Sequence, residues 1–282
     1  ALVDAETAAF RRAYSPQAPS GAAALLEQKI IQVRLNGYAT QKPYGKRAQD
    51  IDVALYVSAS PQSFLNTIHT FIGDIFHRDA DQYHSLALVS FSAFRDMFPE
   101  REHFLICDIG GEVTDLSLVK NNMLVETVSF PKGMMTLMRG AVSLLNRPPE
   151  EVLSRLVLYF DGRHDDTSSV KLGPSIEEGR NSWLSSFREA VAELKSRNAL
   201  PNEIEITAHP IMEKWIGPVF SSSSSTIGVA PGSGEHRLKA HFIDAAALRK
   251  LVSFKDMSQF DSFLALEAVF AGKILNLNSE AV

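Results

Sequence analysis

The alternation of apolar and polar residues predicts strands in two separate stretches of the chain. In the first, KIIQVRLNGYAT places Ile31, Val33 and Leu35 on one face of a strand, and IDVALYVSA alternates in the same way. Asn36-Gly37 follows the first strand and suits a tight hairpin turn, because both residues tolerate a positive φ. In the second stretch, FLICDIGGEVTDLSLV contains two alternating runs that meet at a glycine pair, and NNMLVETVSF predicts a third antiparallel strand.

Segments with helical periodicity flank both stretches. Apolar residues recur at helical spacing in four segments: SPQSFLNTIHTFI, KGMMTLMRGAVSLL, PPEEVLSRLVLYF and residues 178–197. Residues 1–27 are also predicted to be helical, with a break at SPQAPSG, and DGRHDDTSSVKLGPS is predicted to be a polar loop. We therefore expect a small α+β unit over residues 1–80 and an α/β domain over residues 81–282, with a flexible Ser/Gly loop at 221–236.

Composition and charge exclude several classes of function. Of the 282 residues, 45% are hydrophobic, which suffices for a core in each part. The formal net charge is −5, and the chain lacks the basic surplus of a nucleic-acid binder. A single cysteine, Cys107, indicates a reducing, cytoplasmic setting, and no apolar run is long enough for a membrane span. We therefore expect protein partners, no nucleic acid and no membrane segment in this chain.

The glycine pair lies in DIGGEVTD, at residues 108–115. Glycines let backbone N–H groups converge on an anion without a Cβ in the way, and the Thr hydroxyl is a further donor. Two carboxylates beside such a turn suit a magnesium ion or the orientation of an attacking water. The alternative is a plain Gly-Gly hairpin between buried strands, with the Asp residues as turn formers. The residues alone leave both interpretations open.

DIGGEVTDLSLV resembles the second phosphate-binding hairpin of the actin-like ATPase superfamily. The preceding segment, VRLNGYATQKPYGKRAQDIDVALYVSASPQSFLNTI, is similar to the extra small subdomain of the FtsA/PilM branch, which acts in bacterial cell division and type IV pilus assembly. SFPKGMMTLMRGA resembles the segment in which a glycine, here Gly133, starts a helix near the phosphates. The resemblance covers residues 25–145 well and the remainder loosely. It implies an α/β, actin-like (ribonuclease H-like) mixed sheet with helices and a small inserted α+β subdomain.

The resemblance also implies ATP and Mg²⁺ as cofactors. In that case Asp108 and Asp115 serve as the catalytic and metal-binding pair. Glu151 and Arg155 stand where the family has a Glu and a Lys that reach the ribose and base, but an i, i+4 Glu–Arg pair is more simply a surface ion pair. The nucleotide-binding residues that the resemblance implies are Asp108, Gly110, Gly111, Glu112, Thr114, Gly133, Glu151 and Arg155.

Three departures from the family pattern lower the expected activity. The family's first phosphate loop does not precede the small subdomain, so we expect that it was removed with an earlier part of the protein or never existed. Ala208-His209-Pro210 replaces a glycine pair that lets the nucleotide approach the backbone. A reduced insertion near 160–178 replaces a subdomain that forms one wall of the adenine pocket. We expect this chain alone to be ATPase-like at best, without efficient hydrolysis.

Two functions from different classes follow as expectations. The resemblance implies a nucleotide-binding, cytoplasmic adaptor that partners place at the inner face of the membrane, in cell division or pilus assembly, and that self-associates. The alternative is a nucleotide-free actin-fold scaffold, a pseudo-ATPase that binds a protein partner. The intact DIGGEVTD favours the first function, whereas Ala208-His209-Pro210 and the reduced insertion favour the second.

Overall fold

The computed structural model describes residues 2–14, 23–40, 42–78, 82–163, 166–221, 226–228, 235–249, 251–253 and 260–279. The chain divides into two compact units, Ala1–Leu88 and Val89–Val282. The boundary between them lies at Leu88 and not at residue 80, where the sequence pattern placed it. Within the described ranges, no helix combines the length and the apolar character that a membrane crossing requires.

The small unit combines helices with a three-stranded antiparallel sheet of order β2-β1-β3. Its elements are α1 (Leu2–Tyr14), β1 (Ala23–Leu35), β2 (Tyr38–Ala39), β3 (Ile51–Pro61) and α2 (Gln62–Phe76). The predicted turn at Asn36-Gly37 is confirmed, with φ of 52° and 84°. The helix predicted over residues 1–27 is wrong from Ala23 onwards, because Ala23–Leu35 is a strand that pairs with β3 along its length. This pairing overrides the helix preference of Ala and Leu.

A buried carboxylate ties the end of the small unit to its first strand. The Glu27 side chain, beside a β-bulge in β1, is 2% exposed. Its Oε1 accepts hydrogen bonds from Ser58 Oγ (2.9 Å), Ser85 N (2.9 Å) and Ser85 Oγ (2.6 Å). Its Oε2 lies 2.8 Å from His84 Nδ1. The network therefore fixes residues 84–85 to both long strands of the sheet.

The larger unit is built around a five-stranded mixed sheet of order β10-β7-β4-β5-β6. From the unit boundary onwards, the elements are α3 (Leu86–Met97), β4 (Phe104–Ile109), β5 (Thr114–Lys120), β6 (Met123–Phe130), α4 (Met134–Leu145), α5 (Pro149–Phe160), α6 (Asp166–Arg197), β7 (Glu203–Ala208), α7 (Pro210–Ser221), β8 (Thr226–Gly228), β9 (Glu235–Arg237), β10 (Lys239–Phe242), α8 (Ala245–Leu248) and α9 (Ser262–Ser279). Strands β10, β7 and β4 are parallel, whereas β4, β5 and β6 form the predicted antiparallel run.

The main core lies on one face of this sheet. Leu105, Cys107 and Ile109 of β4 point to that face, because successive side chains of a strand alternate. They pack with buried side chains of α4, α5, α6 and α7, among which Trp183 and Trp215 are fully buried. The burial of Cys107 confirms its interpretation as a core residue.

The other face of the sheet is also buried. Ile106 of β4 points to this face and is 1% exposed, and Phe91 of α3 and Leu266 of α9 are equally inaccessible. Helix α9 is joined to α3 by Lys273, whose Nζ lies 2.8 Å from Asp96 Oδ2. Residues of β4 are therefore screened from water on both sides.

Two segments that were predicted to be loops contain regular structure. Helix α6 begins at Asp166, so the predicted polar loop in the region of the reduced insertion is largely helical, despite Pro174. Leu172 and Ile176 are buried one helical turn apart, and this packing outweighs the helix-breaking signal of the proline. In the predicted flexible loop at 221–236, Ser221 ends α7, and β8 pairs with β9 in an antiparallel ribbon. Residues 222–225 and 229–234 of that loop lie outside the described residues.

Candidate functional site

The hairpin between β4 and β5 forms the Gly-Gly turn that the sequence predicted. The strand register pairs Ile109 with Thr114, so the turn consists of residues 110–113. Gly110 N donates to Val113 O across the turn at 2.9 Å. Neither glycine has a positive φ, so the glycines are needed for the space around them and not for an unusual backbone conformation.

The start of α4 packs directly on this turn. Met134 N donates to Gly110 O at 2.9 Å, and Met135 N donates to Gly111 O at 2.8 Å. A Cβ at Gly133 would lie 2.3 Å from Gly110 O and 2.7 Å from Gly111 O, so only glycine permits this approach. Gly133 starts the helix as predicted, but the first two N–H groups of α4 bond to the turn and are not free for a phosphate.

The same contacts orient two N–H groups of the turn. The C=O and N–H of a planar trans peptide point in opposite directions. Because the carbonyls of Gly110 and Gly111 point towards α4, the N–H groups of Gly111 and Glu112 point away from it. Among the hydrogen bonds of the described residues, none is donated by these two N–H groups. Consecutive, unbonded N–H groups that point the same way are an anion-binding arrangement.

Thr114 is bound within the protein interior. It is fully buried, its hydroxyl donates to Lys132 O at 2.6 Å, and it accepts from Trp183 Nε1 at 3.1 Å. The only hydrogen of this hydroxyl is therefore used by the backbone and does not face a ligand. Thr114 instead holds the hairpin to α6 and to the segment before α4.

Asp108 and Asp115 are paired across β4 and β5, on the sheet face opposite the main core. Asp108 is 3% exposed, and its pKa is raised from 3.8 to about 7, mainly because burial disfavours the charged carboxylate. The nearby Thr207 and Ser90 hydroxyls lower this pKa in part, whereas the charge of Asp115 raises it. These two hydroxyls lie beside the carboxyl group, yet Asp108 Oδ1, Ser90 Oγ and Thr207 Oγ1 make no well-formed hydrogen bond with any described residue. Asp115 accepts a bond from Ser129 Oγ at 2.5 Å.

The oxygens around Asp108 suit a hard cation. Carboxylate and hydroxyl oxygens are the ligands that Mg²⁺ prefers, and buried polar atoms without partners indicate space for an ion or water. Among the described residues, no cluster of three or more His, Cys, Asp and Glu side chains is placed to hold a metal. The oxygens that could hold a cation here are those of the Asp108–Asp115 pair and of the Ser90 and Thr207 hydroxyls.

A cavity of about 190 Å³ lies beside the turn, at the carboxyl ends of the parallel strands β4 and β7. Open α/β sheets bind ligands at this edge. Apolar side chains of α4, α9 and the segment before α9 form much of its wall, together with the bare backbone of Gly110 and Gly111. Ligand sites for drug-sized molecules have volumes of roughly 300–1,000 Å³, so this cavity accommodates only part of a nucleotide.

His209 and Pro210 line this cavity where the family pattern has glycines. Burial lowers the pKa of His209 from 6.5, and the nearby Asp261 carboxylate opposes this effect, so the imidazole is neutral at pH 7. Asp261 accepts hydrogen bonds from Phe263 N (2.8 Å) and Leu264 N (3.1 Å) and thereby caps α9. The rings of His209 and Pro210 therefore take up space in the cavity that glycines, as in the family pattern, would leave free.

Glu151 and Arg155 are not brought to this cavity. Both lie on α5, where Arg155 Nη2 is 2.9 Å from Glu151 Oε1. They form the i, i+4 ion pair that was the alternative interpretation of their spacing. Neither side chain is among the cavity-lining residues.

Sequence analysis missed Arg139 of α4. Its Nη1 lies 2.9 Å from Glu112 Oε1 and its Nη2 lies 2.8 Å from Glu112 Oε2, so the guanidinium binds the carboxylate of the turn through both terminal nitrogens. The side chains of Arg139 and Glu112 are 58% and 61% exposed. No sequence signal joins these positions, because the contact arises only when α4 packs on the turn.

Comparisons with known proteins identify the fold. No protein-family model matches the chain, and no curated protein matches it by sequence. Among solved structures it is similar to a PilM-PilN type IV pilus biogenesis complex, with 12% identity and a TM-score of 0.57 over 97% of this chain and 72% of that chain. The similarity is weaker to an archaeal actin homolog (13% identity, TM-score 0.41, 67% of this chain and 54% of that one). It is also weaker to Bacillus thuringiensis ParM with ATP (9% identity, TM-score 0.38, 63% of this chain and 48% of that one). The chain therefore has an actin-like α/β fold, as the resemblance predicted.

Proposed function

We propose that this protein is a PilM-type adaptor that joins protein partners in a type IV pilus machine and binds the phosphates of ATP at its Gly-Gly turn. The adaptor role is supported by the similarity to a PilM-PilN structure, which extends over 97% of the chain and thus over both units. A PilN-type protein is accordingly the partner class, and such a partner holds the adaptor at the cytoplasmic face of the membrane.

The observation that carries phosphate binding is the direction of the Gly111 and Glu112 N–H groups. Both point away from α4 and lack an acceptor among the described residues. The turn also lines the cavity at the carboxyl ends of β4 and β7. A phosphoryl group bound there receives two backbone hydrogen bonds without moving the turn, because the contacts with α4 already fix it.

Asp108 and Asp115 hold the magnesium ion in this proposal, with the Ser90 and Thr207 hydroxyls beside them. Magnesium, when bound, neutralises charge on the phosphates. Asp108 must lose its proton to bind a cation, and its pKa of about 7 makes that loss feasible at neutral pH. Hydrolysis is slow or absent, since the Thr114 hydroxyl and the first N–H groups of α4 are used within the protein.

The second candidate is the nucleotide-free scaffold. The observation that favours it is the cavity volume of about 190 Å³, with the His209 and Pro210 rings in the wall. In this case the hairpin is retained only because α4 packs on it, and partner binding is independent of nucleotide.

Isothermal titration with ATP and Mg²⁺ distinguishes the two candidates. We expect saturable binding by the wild-type chain, weaker binding by Asp108→Asn, and unchanged binding by Glu151→Gln, which alters charge on α5 away from the cavity. Absence of saturable binding up to millimolar ATP would exclude the nucleotide-binding candidate and leave the nucleotide-free scaffold as the proposed function. Co-purification with a PilN protein, with and without ATP, tests the adaptor role in either case.

A further inference from the structure

An acidic side chain occupies the turn that we propose binds phosphate. The N–H group of Glu112 points towards the proposed anion position, and its carboxylate belongs to the same short turn. A carboxylate so close to a bound phosphoryl group repels it. Arg139 offsets this charge through the bidentate contact, so the ligand-free turn carries a neutral Glu112–Arg139 pair.

We infer that the Glu112–Arg139 pair controls the affinity of the turn for phosphoryl groups, with Arg139 passing from Glu112 to the bound phosphate. A guanidinium offers two parallel N–H donors, and carboxylates and phosphates both accept them in the same geometry. Glu112 therefore competes with the ligand for Arg139 in the free protein. This inference rests on the proposed phosphate site.

The fold places Arg139 within reach of the turn. The contacts of Gly133, Met134 and Met135 with the turn fix the start of α4, so Arg139 and the turn share one rigid frame. Long side chains of a helix lean towards its N-terminus, which here is the end that carries the turn. The side chains of Arg139 and Glu112 are more than half exposed, so an exchange of partners requires only rotamer changes at the surface.

Other cations near the turn are engaged elsewhere. Lys132, which precedes Gly133, donates from Nζ to Ser182 O at 2.8 Å and is thereby directed towards α6. His209 lines the cavity, but burial keeps its imidazole neutral at pH 7. Among the described residues that contact the turn, Arg139 is thus the cation that a phosphoryl group can recruit.

The test measures pyrophosphate binding by calorimetry, without magnesium and at low ionic strength. The variants are Glu112→Gln, Arg139→Gln and the double variant of both. Glu193→Gln is the matched control, because Glu193 is also half exposed and ion-paired with an arginine, Arg197, but lies on α6. We expect Glu112→Gln to bind pyrophosphate about three- to tenfold more tightly than wild type, and Arg139→Gln to bind it more weakly by a similar factor.

The double variant separates a ligand contact from simple charge neutralisation. If Arg139 contacts the phosphate, the double variant loses the affinity that Glu112→Gln gained; if it keeps that affinity, the inference is overturned. Unchanged binding by Glu112→Gln, or an equal gain in Glu193→Gln, also overturns the inference while leaving the phosphate site intact. Failure of the wild type and of every variant to bind pyrophosphate overturns the phosphate site itself.

Discussion

The burial of Asp108 predicts a specific pH dependence for the stability of the larger unit. Its pKa is about 7 in the folded chain, against 3.8 for an ordinary aspartate. The folded state therefore holds the Asp108 proton more tightly than the unfolded state does. Its contribution to stability falls as the pH rises from 3.8 to about 7, and is constant above and below this window.

The size of this effect follows from the two pKa values. They differ by about 3.2 pKa units, which at about 1.36 kcal/mol per unit corresponds to about 4 kcal/mol. Asparagine has nearly the shape of the protonated carboxyl group and stays neutral at every pH. We therefore expect the free energy of unfolding of Asp108→Asn, relative to that of the wild type, to increase by about 4 kcal/mol between about pH 4 and pH 8.

The assay is urea unfolding in metal-free buffer, followed by tryptophan fluorescence at a series of pH values. Trp183 and Trp215 are the only tryptophans of the chain, and both are buried in the larger unit, so the signal reports that unit. Glu150→Gln, at an exposed position of α5, serves as the control for a lost carboxylate. A difference between Asp108→Asn and wild type that stays constant over the pH range would refute the reasoning, because it would mean that Asp108 ionises as readily in the fold as in the unfolded chain.

Two further substitutions test the contacts that shape each unit. Gly133→Ala places a Cβ 2.3 Å from Gly110 O, so we expect the free energy of unfolding, measured in urea, to fall by about 2–4 kcal/mol. Gly272→Ala in α9 is the control, because the space around Gly272 is open and the substitution should not destabilise the fold. Equal stabilities of these two variants would contradict the close packing of α4 on the turn. Glu27→Ala removes the acceptor of the Ser58 hydroxyl and of the Ser85 backbone N–H, so we expect the free energy of unfolding of the small unit to fall by about 2–4 kcal/mol. Hydrogen exchange of β1 and β3 measures this loss, and protection equal to that of the surface control Glu6→Ala would exclude the network as a stabilising element.

Local backbone preferences made several features of this protein predictable from its sequence. Asn36-Gly37 forms the expected turn with positive φ, because its conformation depends on the two residues themselves. The glycine pair of DIGGEVTD interrupts two apolar runs, so the antiparallel order of the two strands and the place of the turn followed from neighbouring residues. The actin-like resemblance rested on this motif and on the segments before and after it, and the fold confirms the resemblance.

Contacts between distant residues were decided only by the tertiary structure. The start of β1 at Ala23 depends on pairing with β3, and the helix through Pro174 depends on the burial of Leu172 and Ile176. The bond of the Thr114 hydroxyl to Lys132 O, the burial of Asp108 and the contact of Arg139 with Glu112 changed the roles that the motif suggested. Sequence determines which groups are near one another along the chain. Hydrogen-bond partners, burial and hence pKa depend on elements that meet only when the sheet and its helices are packed.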